Sequence, residues 1–154
     1  MVRTLSENPM NVPVSTLLAD KTPVIHAVPV SATVEDAVRL MNRHKVGSVV
    51  VMDDDRLTGI FTERDVLYRV VAAGLAPAST PVSEVMTPNP KTITPEMSIQ
   101  DTLQLISEQR CRHLPVMDGG RMVGLVSQGD ITRWLVDAHR AQAEQLMNYI
   151  TGGG

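Results

Sequence analysis

The strongest constraint on this chain is that it repeats itself. Thr33-Val34-Glu35-Asp36 is matched by Ser98-Ile99-Gln100-Asp101, 65 positions further on (36 to 101). The register then holds without a gap. Val51-Met52-Asp53 falls on Val116-Met117-Asp118, Arg56 on Arg121, Gly59 on Gly124 and Asp65 on Asp130. Apolar positions follow, with Leu40 on Leu105, Ile60 on Leu125 and Val66 on Ile131. Upstream, Val14-Ser15-Thr16-Leu17-Leu18 matches Val82-Ser83-Glu84-Val85-Met86 at a spacing of 68 (14 to 82), so the linker that follows is three residues longer in the first copy than in the second. A match that holds its register this far marks a duplicated supersecondary unit. Neither copy is large enough to bury a good core alone, so the two should pack on each other.

Each copy reads as strand, helix, hairpin, helix. Val24 to Val28 and Lys91 to Ile93 are expected as short strands. Val34, Ala37, Val38 and Met41 then fall on one helical face, as do Ile99, Thr102, Leu103 and Ile106 in the second copy. Val49-Val50-Val51-Met52 is a β-branched run expected as a buried strand. Asp53-Asp54-Asp55 turns it, and Asp118-Gly119-Gly120 does so in the second copy with the glycines that a tight turn favours. Leu57 to Phe61 and Met122 to Val126 are the returning strands. The closing helices carry Val66, Leu67, Val70 and Val71, and then Ile131, Trp134 and Leu135. Ala76 to Pro81 is the connector. The fold class is therefore α+β with mixed sheets: tandem β-α-β-β-α repeats related by pseudo-twofold symmetry. The copies are placed at 10–75 and 82–136, with a C-terminal helix and tail at 137–154 ending in Gly152-Gly153-Gly154.

Composition removes several function classes. Net charge is −3 in 154 residues, which gives no reason to expect nucleic-acid binding. Aromatic content is 3%, so the core must be built from Val, Leu, Ile, Met and Ala. A single cysteine, Cys111, cannot form an internal disulfide, which suits a reducing compartment. It matches Val46 and is read as a small apolar group rather than a nucleophile. No apolar run approaches the length of about 18 residues needed to cross a bilayer, and Met1 to Met10 lacks a secretory core. A cytoplasmic protein is expected. His26, His44, His113 and His139 show no metal-binding spacing, so no metal site is expected. With neither a Walker glycine loop nor G-x-G-x-x-G, the chain is not read as an enzyme.

Where the hairpin's second strand meets the last helix, both copies carry G-h-h-[ST]-x-x-D. These are Gly59-Ile60-Phe61-Thr62-Glu63-Arg64-Asp65 and Gly124-Leu125-Val126-Ser127-Gln128-Gly129-Asp130. Two readings stand. A Thr or Ser followed three residues later by an acid is a helix-capping pattern, as at Thr33…Asp36 and Ser98…Asp101. Alternatively, a hydroxyl at a helix N-terminus suits a phosphate. An Asp one turn on can accept from ribose hydroxyls, and the glycine lets a ligand approach the backbone. That would be a ribose-phosphate clamp, occurring twice.

With Val46-Gly47-Ser48-Val49-Val50-Val51 and Arg112-His113-Leu114-Pro115-Val116-Met117-Asp118 added, and with Val82-Ser83-Glu84-Val85-Met86-Thr87-Pro88 leading into the second copy, the chain resembles the CBS-domain family. The resemblance covers roughly Val14 to Val136, and the tail from Glu144 to Ile150 resembles small bacterial stand-alone CBS pairs. It implies that Asp65 and Asp130 hold ribose hydroxyls, with Thr62 and Ser127 near the first phosphate, at up to two sites in a cleft between the repeats. It implies adenine held by backbone at Thr22-Pro23-Val24 and Asn89-Pro90-Lys91, which adds Val24, Pro90 and Lys91 to the site. Arg112 and His113 are either phosphate ligands or a solvated basic turn. Arg64 is a further phosphate candidate, with Gly129 in its place in the second copy. The implied ligand is an adenine nucleotide: AMP, ADP, ATP or NAD. S-adenosylmethionine shares the adenosine, although Thr62, Ser127, Arg112 and His113 suit phosphate better. The implied function is a ligand sensor in signal transduction, a homodimer through its helices, acting on a separate effector protein. The rival reading is a ligand-free module for protein association.

Overall fold

A computed structural model of the chain describes residues 8–20 and 24–150, with side chains through 148. After a 3₁₀ turn at Pro9–Asn11, the elements are α1 (Val14–Asp20), β1 (Ala27–Pro29), α2 (Val34–His44), β2 (Ser48–Asp53) and β3 (Arg56–Thr62). Next come α3 (Glu63–Asp65), continued as a π-helix over Val66–Val71, then α4 (Val82–Val85), β4 (Thr87–Pro88) and α5 (Ile99–Gln109). β5 (His113–Asp118), β6 (Arg121–Ser127) and α6 (Gln128–Ile150) complete the chain. The mixed helix-and-sheet class and the doubled helix–hairpin–helix order are as expected.

The two hairpins are built alike. Val51 lies opposite Gly59 in the first and Val116 opposite Gly124 in the second, and each has a bulge at the next position. Their turns need left-handed backbone: Asp54 has φ 51°, and Gly119 and Gly120 have φ 60° and 83°. α2 and α5 both end on a left-handed residue, Lys45 and Arg110, which is a common helix stop.

The leading strands are shorter than expected. β1 pairs with β2 in parallel only over Ala27–Pro29, because pairing begins where Val50 N–H donates to His26 O and ends near Pro29. Val24 lies before it and is exposed. Lys91 to Ile93 forms no strand at all. Ile93 alone bridges Val116, through Ile93 N–H to Pro115 O (3.0 Å) and Met117 N–H to Ile93 O (2.8 Å). Thr94-Pro95 follows, and proline supplies no donor to extend the ladder. One strand appears that the pattern did not announce: β4 pairs antiparallel with β3, Gly59 opposite Pro88 and Ile60 opposite Thr87.

The chain forms two compact units: Val24–Lys91, and the parts before and after that segment. The leading helices are exchanged between repeats. Val82 and Val85 of α4 join the first repeat's core of Val28, Val34, Ala37, Val49, Val51, Phe61 and Val70. Val14 and Leu17 of α1 join the second repeat's core of Ile93, Ile99, Ile106, Leu114, Val116, Val126, Ile131 and Trp134. The same hydrogen bonds dock both: Val14 N–H to Met97 O (2.8 Å), and Val82 N–H to Ala32 O (2.9 Å). The small core of each repeat is thus completed by a helix of the other.

The closing helices differ. α6 is regular, and it buries Ile131, Trp134 and Ala138. After Asp65 the first repeat winds as a π-helix, and only Val70 is fully buried. Leu67 and Val71, expected in the core, are 53% and 63% exposed. A π-turn takes more residues than an α-turn, so the inward face skips to Val70 and leaves those two outside.

Candidate functional site

The site is built where each hairpin hands over to its closing helix. Thr62 is extended (φ −118°, ψ 166°), and its Oγ1 accepts from Asp65 N–H (3.3 Å). Asp65 Oδ2 in return accepts from Thr62 N–H (3.0 Å). In the second repeat, Ser127 Oγ accepts from Asp130 N–H (3.0 Å) and Asp130 Oδ2 from Ser127 N–H (2.9 Å). The capping reading is therefore realised at both junctions. It uses one oxygen of each carboxylate and fixes where the other faces.

That other oxygen, Oδ1, faces an arginine in both repeats. Arg69 Nε stands 3.6 Å from Asp65 Oδ1, and Arg133 Nη2 stands 2.7 Å from Asp130 Oδ1. Arg69 and Arg133 are not aligned residues, since Arg133 matches Tyr68 and Arg69 matches Trp134. The π-turn slips the first repeat by one position, so that a residue four beyond its Asp reaches where one three beyond reaches in the α-helix. Asp65 is also the more enclosed, at 7% exposed. Thr87 Oγ1 lies 3.4 and 3.5 Å from its two oxygens, and Arg69 Nη1 donates onward to Met86 O (2.9 Å) and Val85 O (3.4 Å).

The glycines were expected to open the backbone to a ligand. What approaches them is a side chain. A Cβ on Gly124 would lie 2.8 Å from Leu18 Cδ2, and one on Gly59 would overlap the Met86 sulfur. Leu18, in α1, and Met86, the residue that ends α4, are matched positions. Each glycine thus admits the leading helix of the other repeat.

The remaining predicted residues fall unevenly. His113 pairs directly with Ser127 across the β5–β6 ladder. The Arg112 carbonyl accepts from Gln128 N–H (2.9 Å), so the basic pair is held beside the start of α6. Arg64 is exposed and lies over the Tyr68 ring, 5.9 Å from its centroid. Asn89 is tied to β3 through its N–H to Thr58 O (3.1 Å), with Pro90 half-buried and Lys91 exposed after it. Thr22 and Pro23 lie outside the described residues. Thr87, Arg69 and Arg133 were not singled out from the sequence. An arginine three or four residues after an acid was the signal available.

Two other features lie in the unit Val24–Lys91. An open groove of about 310 Å³ is lined by Val38, Met41, Asn42, Lys45, Val46, Glu63 and Val66, none of them expected to hold a nucleotide. The rings of His26 and His44 stack at 4.1 Å, and burial together with the neighbouring His44 lowers the pKa of His26. Among the described residues, no group of three or more His, Cys, Asp or Glu could hold a metal ion, and no helix is long and apolar enough to cross a membrane.

Comparison with known proteins settles the family. The CBS-domain family model matches residues 7–72 and again 82–137. The chain belongs to the CBS-domain family. It is 41% identical over 126 residues to the mitochondrial CBS domain-containing protein CBSX3 of Arabidopsis thaliana, matching 79% of this chain and 61% of that protein's length. A crystal structure of a CBS-domain-containing protein from Agrobacterium tumefaciens superposes with TM-score 0.75 at 32% identity, over 79% of this chain and 98% of that one. A CBS domain protein from Pyrobaculum aerophilum, solved in complex with AMP, has the same fold, with TM-score 0.70 at 24% identity over 82% and 99% of the two chains. CBS pairs are regulatory modules, and no catalytic family is indicated.

Proposed function

We propose that this CBS pair is a sensor of adenine nucleotides in signal transduction, cytoplasmic and without chemistry of its own. The observation that carries the reading is the doubled junction: a carboxylate locked by its cap, with a second oxygen aimed away from the cap, at the same place in both repeats. Asp65 and Asp130 would accept ribose hydroxyls, and Thr62 and Ser127 would stand by the first phosphate. Arg112 and His113 would add charge in the second repeat only, with Arg64 in the first. Gly59 and Gly124 serve the site by seating the helices around it. Val24, Pro90 and Lys91 would frame the adenine. The AMP complex of the Pyrobaculum aerophilum protein supports the ligand class. The ligand would be AMP, ADP, ATP or NAD, with no metal required. Binding would act by linkage, shifting the populations of two states, and the signal would pass through a homodimer to a separate effector protein.

A second reading, a ligand-free association module, draws on the apolar outer face of the first repeat's closing helix, where Leu67, Tyr68 and Val71 are exposed. The two separate on one experiment: isothermal titration of the full chain with AMP, ADP, ATP and NAD, beside the Asp65→Asn/Asp130→Asn variant. Asparagine keeps an oxygen that can accept the capping N–H, so stability should hold while at least one nucleotide loses about tenfold or more in affinity. Equal affinity in the variant, or no binding by the wild type, would leave the association module.

A further inference from the structure

The two junctions carry the same acid, yet the cation beside it is held differently. Arg69 is tied to the carbonyls of Val85 and Met86 as well as to Asp65. Arg133 reaches back from the second turn of α6 onto Asp130 Oδ1 at 2.7 Å, and its side chain is 72% exposed. Gly129 lies beside the guanidinium: a Cβ there would touch Arg133 Nη1 at 3.4 Å, an ordinary contact. In the first repeat the matched pair is Arg64 and Tyr68, with the cation laid over the ring instead. The exchange of Arg/Tyr for Gly/Arg thus gives Asp130 an exposed cation three residues on, whereas the cation beside Asp65 is Arg69, which two carbonyls also hold.

On the reading that Asp130 receives ribose, the guanidinium stands where the ribose hydroxyls would come. A plain diol must compete with Arg133 for Oδ1, and a phosphate ester on the ring would be repelled by Asp130 unless a cation stood beside it. Arginine presents five N–H donors in a fork that matches phosphate oxygens. In dinucleotide sites an acid selects the free 2′-hydroxyl, whereas a nearby arginine accepts a 2′-phosphate. We infer that Arg133 makes the second repeat's site selective for an adenosine nucleotide carrying a phosphomonoester on its ribose, at the 2′ or 3′ oxygen. The first repeat's site, with Arg69 engaged elsewhere, takes the unsubstituted ribose.

The test uses the full chain carrying Asp65→Asn, so that the second site is read alone. It is titrated with AMP, adenosine 2′,5′-bisphosphate and adenosine 3′,5′-bisphosphate, with and without Arg133→Gln. With Arg133 present, one bisphosphate should bind about tenfold or more tighter than AMP, and which one it is gives the ring position. Arg133→Gln should bring that ratio close to one, and Arg133→Lys should leave it between the two, since charge is kept and the fork lost. A ratio near one with Arg133 in place, or a preference that survives Arg133→Gln, overturns the inference and leaves the sensor reading standing. If no adenosine compound binds, the sensor reading fails at this site and the inference falls with it. Melting curves confirm that the exposed substitution leaves the fold intact.

Discussion

Gly124→Ala would put a methyl group where the second hairpin meets the first repeat's leading helix. Its Cβ would lie 2.8 Å from Leu18 Cδ2 and 3.3 Å from Cδ1, against a normal carbon contact of about 3.5–4.0 Å. Leu18 is half-buried against the second repeat's core, so it must shift by roughly an ångström or change rotamer. Overpacking of this kind costs about 1–3 kcal/mol. At 154 residues that corresponds to a drop in Tm of roughly 2–12 °C. Leu18→Ala alone loses packing, at about 2 kcal/mol or somewhat less for a half-buried side chain. The double variant should cost little more than Leu18→Ala, because the methyl then has space. The cycle is read by urea unfolding followed through Trp134, the chain's one tryptophan, which lies in the same core as Leu17. A coupling of about 1–3 kcal/mol is expected. Costs that add to within about 0.5 kcal/mol would mean that Leu18 does not cover Gly124, and the exchange of leading helices would be refuted.

Two further outcomes follow from single contacts. Burial and the neighbouring His44 hold the His26 pKa below its ordinary value, so the unfolded chain takes up a proton first as pH falls. Stability should be full above about pH 7 and decline below about 6.5; a decline of the same size in His26→Gln, measured by urea midpoints between pH 7.5 and 5.5 (about two units around the imidazole range), would refute this. Trp134 Nε1–H donates to Asp20 Oδ2 (3.1 Å), so Trp134→Phe should lower Tm by about 2–4 °C in circular dichroism, and an unchanged Tm would show that this bond does not anchor the end of α1.

Periodicity made most of the fold legible. Alternation and β-branching located both hairpins to within a residue or so, and the spacing of Val34, Ala37 and Met41 located α2. Other features have no such signature. Val14 and Leu17 are apolar in the same way as Val82 and Val85, so nothing local says that each pair packs on the other repeat. The π-turn is equally silent, because Val66, Leu67, Val70 and Val71 satisfy an α-helical stripe, and only packing decides which of them turns inward. At the site, the cap residues were legible because their spacing is their mechanism. The use of Gly59 and Gly124 was not, because a missing side chain does not say what fills its place.

The alignment that revealed the repeat also hides the difference between its two sites. Position by position, Tyr68 stands for Arg133 and Arg69 for Trp134, so neither arginine has a matched arginine in the other repeat. The one-residue slip of the π-turn brings Arg69 to Asp65 all the same. What separates the sites is where each guanidinium is held. The carbonyls of Val85 and Met86 hold Arg69 at the end of α4, so on the proposed reading a ligand that draws on Asp65 would also draw on the end of that helix. Arg133 lies beside its own Asp130 and is largely exposed, so on the proposed reading a ligand there would meet the arginine first. Duplication supplied two like caps. Divergence at Gly129 and Arg133, and the slip after Asp65, gave them different chemistry while both caps stayed intact.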